Sequence, residues 1–316
     1  MASSVSTLAF VFPGQGSQSV GMLDAWGEHP AVQQTLDEAS AALGEDMRAL
    51  IHDGPKEQLD LTTNTQPVML AAGIACYRAW LAETGLAPAL VAGHSLGEYT
   101  ALVAAGALTL ADALPLVRFR AQAMQDAVPV GTGAMAAVLG MDAQAVRDGC
   151  IEVAAASGEV VEAVNFNDPK QTVIAGSKAG VEQAIVALKA KGAKRALALP
   201  VSAPFHSSLM KPAAERLKPR LADTPFAAPA IRVVNNVDVQ VESDPQRIRE
   251  ALYRQAFAPV RWVEVVQALR AQGATHIFEC GPGKALAGMV KRIDDAAVAA
   301  NVLDPESLAE ARALLA

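Results

Sequence analysis

Three times along this 316-residue chain a short apolar run meets a glycine-containing turn and then a helix-friendly stretch. Thr7 to Phe12 ends at Pro13-Gly14-Gln15-Gly16. Ala89 to Ala92 runs into Gly93-His94-Ser95-Leu96-Gly97, followed by Glu98 to Ala105, and Thr275 to Glu279 leads into Gly281-Pro282-Gly283 and a helix predicted from Lys284 to Ile293. Short strands alternating with helices argue for an α/β fold with a mostly parallel sheet, because parallel neighbours need crossovers long enough to hold a helix. In such folds the loops leaving the C-terminal strand ends gather along one edge, so the three turns are expected to meet in one site. A further helix is predicted to start at Gln66-Pro67 and stop at Gly85. Its stripe of Leu70, Ile74, Tyr77 and Leu81 is expected to pack on the sheet.

The stretch from about Pro129 to Val201 has a different grammar. Strand, helix, strand, strand, helix and strand signals follow one another at 134–139, 144–155, 160–165, 172–175, 181–189 and 195–199, with Asn167-Asp168-Pro169 as the turn between the middle strands. That βαββαβ order predicts a ferredoxin-like domain over 129–200, inserted into a larger α/β domain built from 1–128 and 201–316.

Composition narrows the function classes. Hydrophobic residues make up 52% of the chain and charged residues 19%, which suits a compact protein and excludes a disordered one. With 26 Lys plus Arg against 33 Asp plus Glu, the net charge is −7, so no nucleic-acid partner is expected. No run of about 20 apolar residues exists to span a membrane. Arg48 is the first Lys or Arg, which leaves the N-terminus without the charge of a secretory or transit leader. Cys76, Cys150 and Cys280 are odd in number and far apart. They read as buried thiols of a cytoplasmic protein, not as a disulfide framework or metal site.

The sharpest chemical signal is the G-x-S-x-G pentapeptide Gly93–Gly97, placed after a strand and before a helix. Serine there occupies a strained turn that the flanking glycines permit. Its hydroxyl is presented at the sheet edge, with the N–H of the next residue, Leu96, beside it. A nucleophilic serine needs a base. Of five histidines, His94 adjoins Ser95 and is expected to point elsewhere, His29 and His52 lie in polar stretches, and His276 lies within a strand. His206, in Pro204-Phe205-His206-Ser207, falls where the chain re-enters the larger domain and could overhang the site. No metal-ligand spacing and no phosphate-binding glycine spacing occurs. Arg118 and Arg120 sit two apart on a predicted helix, so they cannot share a face. Whichever points inward needs an anionic partner.

These motifs together resemble the malonyl-CoA:acyl carrier protein transacylase family of fatty-acid synthesis. The resemblance runs from Phe10-Val11-Phe12-Pro13-Gly14-Gln15-Gly16-Ser17-Gln18 through Gly93 to Tyr99, Val164-Asn165-Phe166-Asn167 and Val233-Val234-Asn235-Asn236 to Gly281-Pro282-Gly283-Lys284, nearly the whole chain. It implies a hydrolase-like α/β domain carrying the ferredoxin-like insertion. It implies Ser95 as the acylated nucleophile, His206 as its base, and the main-chain carbonyl of Gln255 as the group orienting that base. The backbone N–H groups of Gln15 and Leu96 correspond to an oxyanion hole, and Arg120 to the partner of the malonyl carboxylate. Phe205, Asn167 and Met124 are further positions it assigns to the substrate. Leu96 and Phe205 resemble malonyl-selective members, although some close relatives carry serine in place of Phe205 and asparagine in place of Ala258.

The implied reaction is a ping-pong transfer from malonyl-CoA to the phosphopantetheine thiol of acyl carrier protein, with no cofactor of its own. A local basic patch is expected to meet the acidic carrier, with Lys189, Lys191, Lys194 and Arg195, or Lys284, Lys291 and Arg292, as candidates. The same residues would serve a free-standing acyltransferase of a polyketide pathway. A serine thioesterase or esterase would share the elbow without a reason to keep Arg120, and a non-catalytic scaffold would need neither.

Overall fold

The computed structural model describes residues 3–201 and 203–315. In chain order its strands are β1 (Ser3–Phe12), β2 (Leu86–Gly93), β3 (Gly133–Leu139), β4 (Val161–Asp168), β5 (Gln171–Ser177), β6 (Arg195–Ala198), β7 (Arg232–Val234), β8 (His276–Cys280) and β9 (Val298–Val302). Five of them form one sheet in the order β7-β2-β1-β8-β9, with every neighbouring pair parallel. All five C-terminal ends therefore lie along one edge, as the three glycine turns predict.

The central strand explains why the sheet sits where it does. Leu8 to Phe12 are fully buried, as expected for a parallel sheet covered on both faces. Leu8, Phe10 and Phe12 belong to one core, where Phe10 meets Trp80 edge-on at 5.3 Å and Tyr77 at 6.0 Å. Ala9 and Val11 belong to the opposite core, with Trp262, Val265, Val266 and Leu269.

The helix read from Gln66-Pro67 to Gly85 is longer than its apolar stripe indicates. It spans Thr62–Thr84 with Pro67 inside it, and Gly85 ends it in the left-handed conformation as predicted. Its first turn is threonine-rich and shows no apolar period. Thr65 Oγ1 instead donates to Leu59 O at 2.6 Å. The predicted stripe also understates its burial. Ala71, Ala72, Gly73, Ala75 and Cys76 are buried too, because the helix lies between the sheet and the Gly97–Ala104 and Leu110–Gln125 helices.

The second sheet is antiparallel, ordered β4-β5-β3-β6, with the Ala143–Ser157 and Lys178–Ala190 helices closing its core around Val146, Cys150, Val181, Ala184 and Leu188. Strand succession and strand order are those of the ferredoxin-like arrangement. The predicted turn Asn167-Asp168-Pro169 is shorter than its signal. β4 continues through Asp168, whose Oδ1 accepts the Lys170 N–H at 2.8 Å.

Strand β4 also ties the second sheet to segments flanking the first. Phe166 N donates to Val260 O at 3.0 Å, Val260 N donates to Val164 O at 2.8 Å, and Arg292 Nε reaches Asp168 Oδ2 at 2.7 Å. Among the described residues no helix is long and apolar enough to cross a membrane.

Candidate active site

At the end of β2 the chain reverses at Ser95, whose φ of 52° lies in the left-handed region that non-glycine residues avoid. Two absent side chains make the reversal possible. A Cβ at Gly93 would come within 1.9 Å of the Gly97 backbone, and one at Gly97 within 2.0 Å of Phe12 O. Asn236, two residues beyond β7, clamps the turn from below. Its Oδ1 accepts the Ser95 N–H at 2.8 Å and its Nδ2 donates to Gly93 O at 2.7 Å.

The Ser95 hydroxyl lies 2.7 Å from His206 Nε2. His206 Nδ1 lies 2.9 Å from the carbonyl of Gln255, which can only accept, so the ring proton sits on Nδ1. Nε2 is thus left with a lone pair for the serine proton. His206 is buried, and burial first, then the positive charge of Arg120, hold its pKa down to about 3. At neutral pH the ring is uncharged.

Of the two predicted arginines, Arg118 turns outward and grips Glu45 with two bonds of 2.7 Å, while Arg120 turns inward and is 1% exposed. Arg120 Nη1 donates to Gln66 Oε1 at 2.8 Å, and Nη2 to Gln255 Oε1 at 3.0 Å and to Ser95 Oγ at 3.2 Å. Its guanidinium stands 5.4 Å over the Tyr99 ring. Among the described residues no carboxylate lies within ion-pair distance of it, and its Nε has no partner. The chain therefore buries a cation held by neutral amides and a hydroxyl.

Gln15 and Leu96 line the same cleft as Ser95. Their backbone N–H groups donate to no acceptor among the described residues, whereas those of Gly16, Ser95 and Gly97 are taken by Gln18, Asn236 and His94 O. Two free donors beside a serine are what a developing oxyanion requires. The cleft has a volume of about 120 Å³. Phe205, Met124 and Met135 form its apolar wall. A larger hollow of about 610 Å³, between Trp26 and Arg312, has no nucleophile with a base beside it.

Asn167, on the same strand as Asn165, stands one residue back from the cleft: its Oδ1 lies 2.8 Å from Nε2 of His94, which lines it. Asn165 takes a place on the cleft wall instead. His94 makes no bond to the Ser95 hydroxyl, as its position in sequence predicts, and its ring lies 5.4 Å from that of Trp262.

Three residues that shape the site carry no role in the sequence reading. Gln66 reads only as a helix start, Glu98 only as the first residue of a helix-friendly stretch, and Asn236 only as part of a motif. Glu98 Oε2 accepts both Asn236 N and Gln255 Nε2 at 2.9 Å, and burial pushes its pKa up to about 7. Among the described residues no group of His, Cys, Asp and Glu side chains could hold a metal ion.

Residues 9–301 match the family model described as the acyl transferase domain. The chain is 53% identical over 308 residues to the malonyl CoA-acyl carrier protein transacylase of Escherichia coli strain K12, covering 97% of this chain and 99% of that one. The crystal structure of an acyl-carrier-protein S-malonyltransferase from Burkholderia pseudomallei 1710b superposes with a TM-score of 0.95 at 64% identity, over 96% of this chain and 99% of that one. A malonyl-transacylase solved in complex with its type II polyketide-synthase acyl-carrier protein superposes with a TM-score of 0.94 at 50% identity, over 97% and 99% of the two chains.

Proposed function

The chain belongs to the acyl transferase family as one of its malonyl-CoA:acyl carrier protein transacylases, and we propose from its geometry which residues perform the transfer. It moves a malonyl group from malonyl-CoA to the phosphopantetheine thiol of acyl carrier protein. The observation that carries the assignment of roles is the meeting of Ser95 Oγ with both His206 Nε2 and Arg120 Nη2.

In the first half-reaction His206 Nε2 takes the Ser95 proton as Oγ attacks the thioester carbonyl. The N–H groups of Gln15 and Leu96 receive the oxyanion; losing one such donor typically costs about 10²–10³ in rate. The carbon–sulfur bond breaks, the CoA sulfur takes the proton from His206, and malonyl remains as an ester on Ser95. In the second half the carrier's thiol gives its proton to His206 and attacks that ester, and Ser95 leaves with the proton. One thioester replaces another, so the exchange is nearly thermoneutral and calls for neither metal nor cofactor.

Arg120 selects the acyl group. A guanidinium–carboxylate pair forms charge-assisted bonds worth about 1.5–3 kcal/mol each. Acetyl-CoA offers it nothing, and a discrimination of tenfold or more follows. The carboxylate has a second effect: it cancels the charge that depresses His206, so the right substrate strengthens its own base.

Polyketide supply is the second reading, favoured by the neighbour solved with a polyketide carrier protein. Turnover with fatty-acid against polyketide carriers separates the two. A cytoplasmic setting fits Cys76, Cys150 and Cys280, all buried and unpaired. The deciding experiment for the site is intact-mass analysis of the protein mixed with malonyl-, acetyl- and methylmalonyl-CoA. A stable malonyl adduct on Ser95 is expected; rapid release of free malonate marks a hydrolase instead.

A further inference from the structure

Arg120 is buried beside the nucleophile with neutral groups as its direct partners, yet a carboxylate stands one residue behind them. Glu98, 2% exposed in the first turn of the Gly97–Ala104 helix, accepts Gln255 Nε2–H at 2.9 Å. The same Gln255 Nε2 donates to Ser95 O at 3.0 Å. With both amide protons committed to acceptors, the other end of that amide, Oε1, must face Arg120, where it accepts Nη2–H at 3.0 Å. Reversing the amide would set an NH₂ against a guanidinium, donor against donor, and an oxygen against a carboxylate.

We propose that Glu98 is a positioning residue for substrate choice: it locks the Gln255 side chain so that its oxygen holds Arg120 in place for the acyl carboxylate. The placement also solves an electrostatic problem. A carboxylate touching Arg120 would compete with the substrate for its donors. Held behind Gln255, Glu98 fixes that amide and leaves the guanidinium edge open. The same Oε2 accepts the N–H of Asn236, whose side chain clamps the Ser95 turn, so one carboxylate oxygen serves both the elbow and the grip.

This inference rests on Arg120 as the carboxylate partner, and the test separates the two. The quantity to measure is the ratio of malonyl to acetyl loading on Ser95, with Arg120→Ala, Glu98→Gln and Glu98→Asp compared against the unmodified protein. Arg120→Ala collapses the ratio if the grip is assigned correctly; an unchanged ratio removes the grip itself. Glu98→Gln keeps an oxygen where both donors need it, so the ratio should stay within about threefold. Glu98→Asp withdraws the acceptor by one methylene, and the ratio should fall at least tenfold. A collapse with Arg120→Ala but an unmoved ratio with Glu98→Asp overturns the role of Glu98 alone. An equal loss for both acyl groups marks Glu98 as merely structural and overturns it as well. In the unmodified protein the two Gln255 Nε2 protons should exchange slowly with solvent by NMR, and rapid exchange defeats the proposal whatever the variants do.

Discussion

The guanidinium of Arg120 and the hydroxyl of Ser95 meet at 3.2 Å, Nη2 to Oγ. They are 25 residues apart in sequence, and in the proposed mechanism they address the two ends of one small acyl group. On the proposed mechanism a thioester carbonyl at Ser95 brings a malonyl carboxylate to Arg120, whose direct partners among the described residues are two amides and a hydroxyl.

Arg120→Ala should lower malonyl transfer by about 10²-fold, the loss of two charge-assisted bonds less what water restores. Acetyl transfer should be spared or raised. Steady-state kcat/KM for the two thioesters checks it, and an equal fall in both would falsify the carboxylate role.

Ser95→Ala should abolish the malonyl adduct while leaving the fold intact, since the clamp from Asn236 holds the backbone N–H rather than the side chain. Intact mass after incubation with malonyl-CoA reads the first, and the thermal midpoint reads the second. An adduct persisting at full yield means that another residue is the nucleophile.

The pH profile should carry the mark of Arg120. Acylation needs neutral His206, so the rate falls as pH drops through its pKa, which burial and Arg120 hold at about 3. No acid limb is therefore expected near the ordinary histidine value of about 6.5. Arg120→Ala removes the second cause, and the limb should move up in pH. Single-turnover acylation by acetyl-CoA across pH 4–8 should stay level in the unmodified protein and acquire an acid limb in the variant, free of any effect on carboxylate binding. The sign for stability follows from the same depression. Between about 3 and 6.5 the folded state leaves His206 unprotonated while the unfolded chain protonates it, so the stability owed to that ring is lost as pH falls through the window; Glu98, raised to about 7 by burial, contributes in the opposite sense. A His206 ring that titrates by NMR near the ordinary histidine value would argue against a buried neutral ring.

Gly97→Ala should destabilise the protein by at least about 3 kcal/mol, toward the severe end of single substitutions. The new Cβ would stand 2.0 Å from Phe12 O and 3.0 Å from Pro13 O, both backbone atoms with no room to retreat. Chemical denaturation measures it, and a loss under about 1 kcal/mol would mean that the elbow is looser than its geometry implies.

The amino-acid sequence alone determined the strand–turn–helix units and the elbow at Ser95, since these follow from contacts within a few residues, and the parallel sheet through the helix-length crossovers those units supply. Apolar period, glycine at a crowded turn and Gly85 closing a helix are all local. The family motifs carried Ser95, His206, Arg120 and Gln255, although spacing alone left the base unresolved among five histidines. The chain's own pattern misled where the environment outweighs propensity. Thr62 to Thr65 are helical with no apolar period, and Asn167 belongs to a strand rather than a turn. Tertiary structure alone decided that Gln66, Glu98, Asn236 and Gln255 converge on one arginine and one elbow. Glu98 and Gln255 are 157 positions apart, and Ser95 and Asn236 are 141. Local sequence says nothing about such partners. A buried polar group costs free energy until it finds its complement, and only the packed chain determines which groups are buried together.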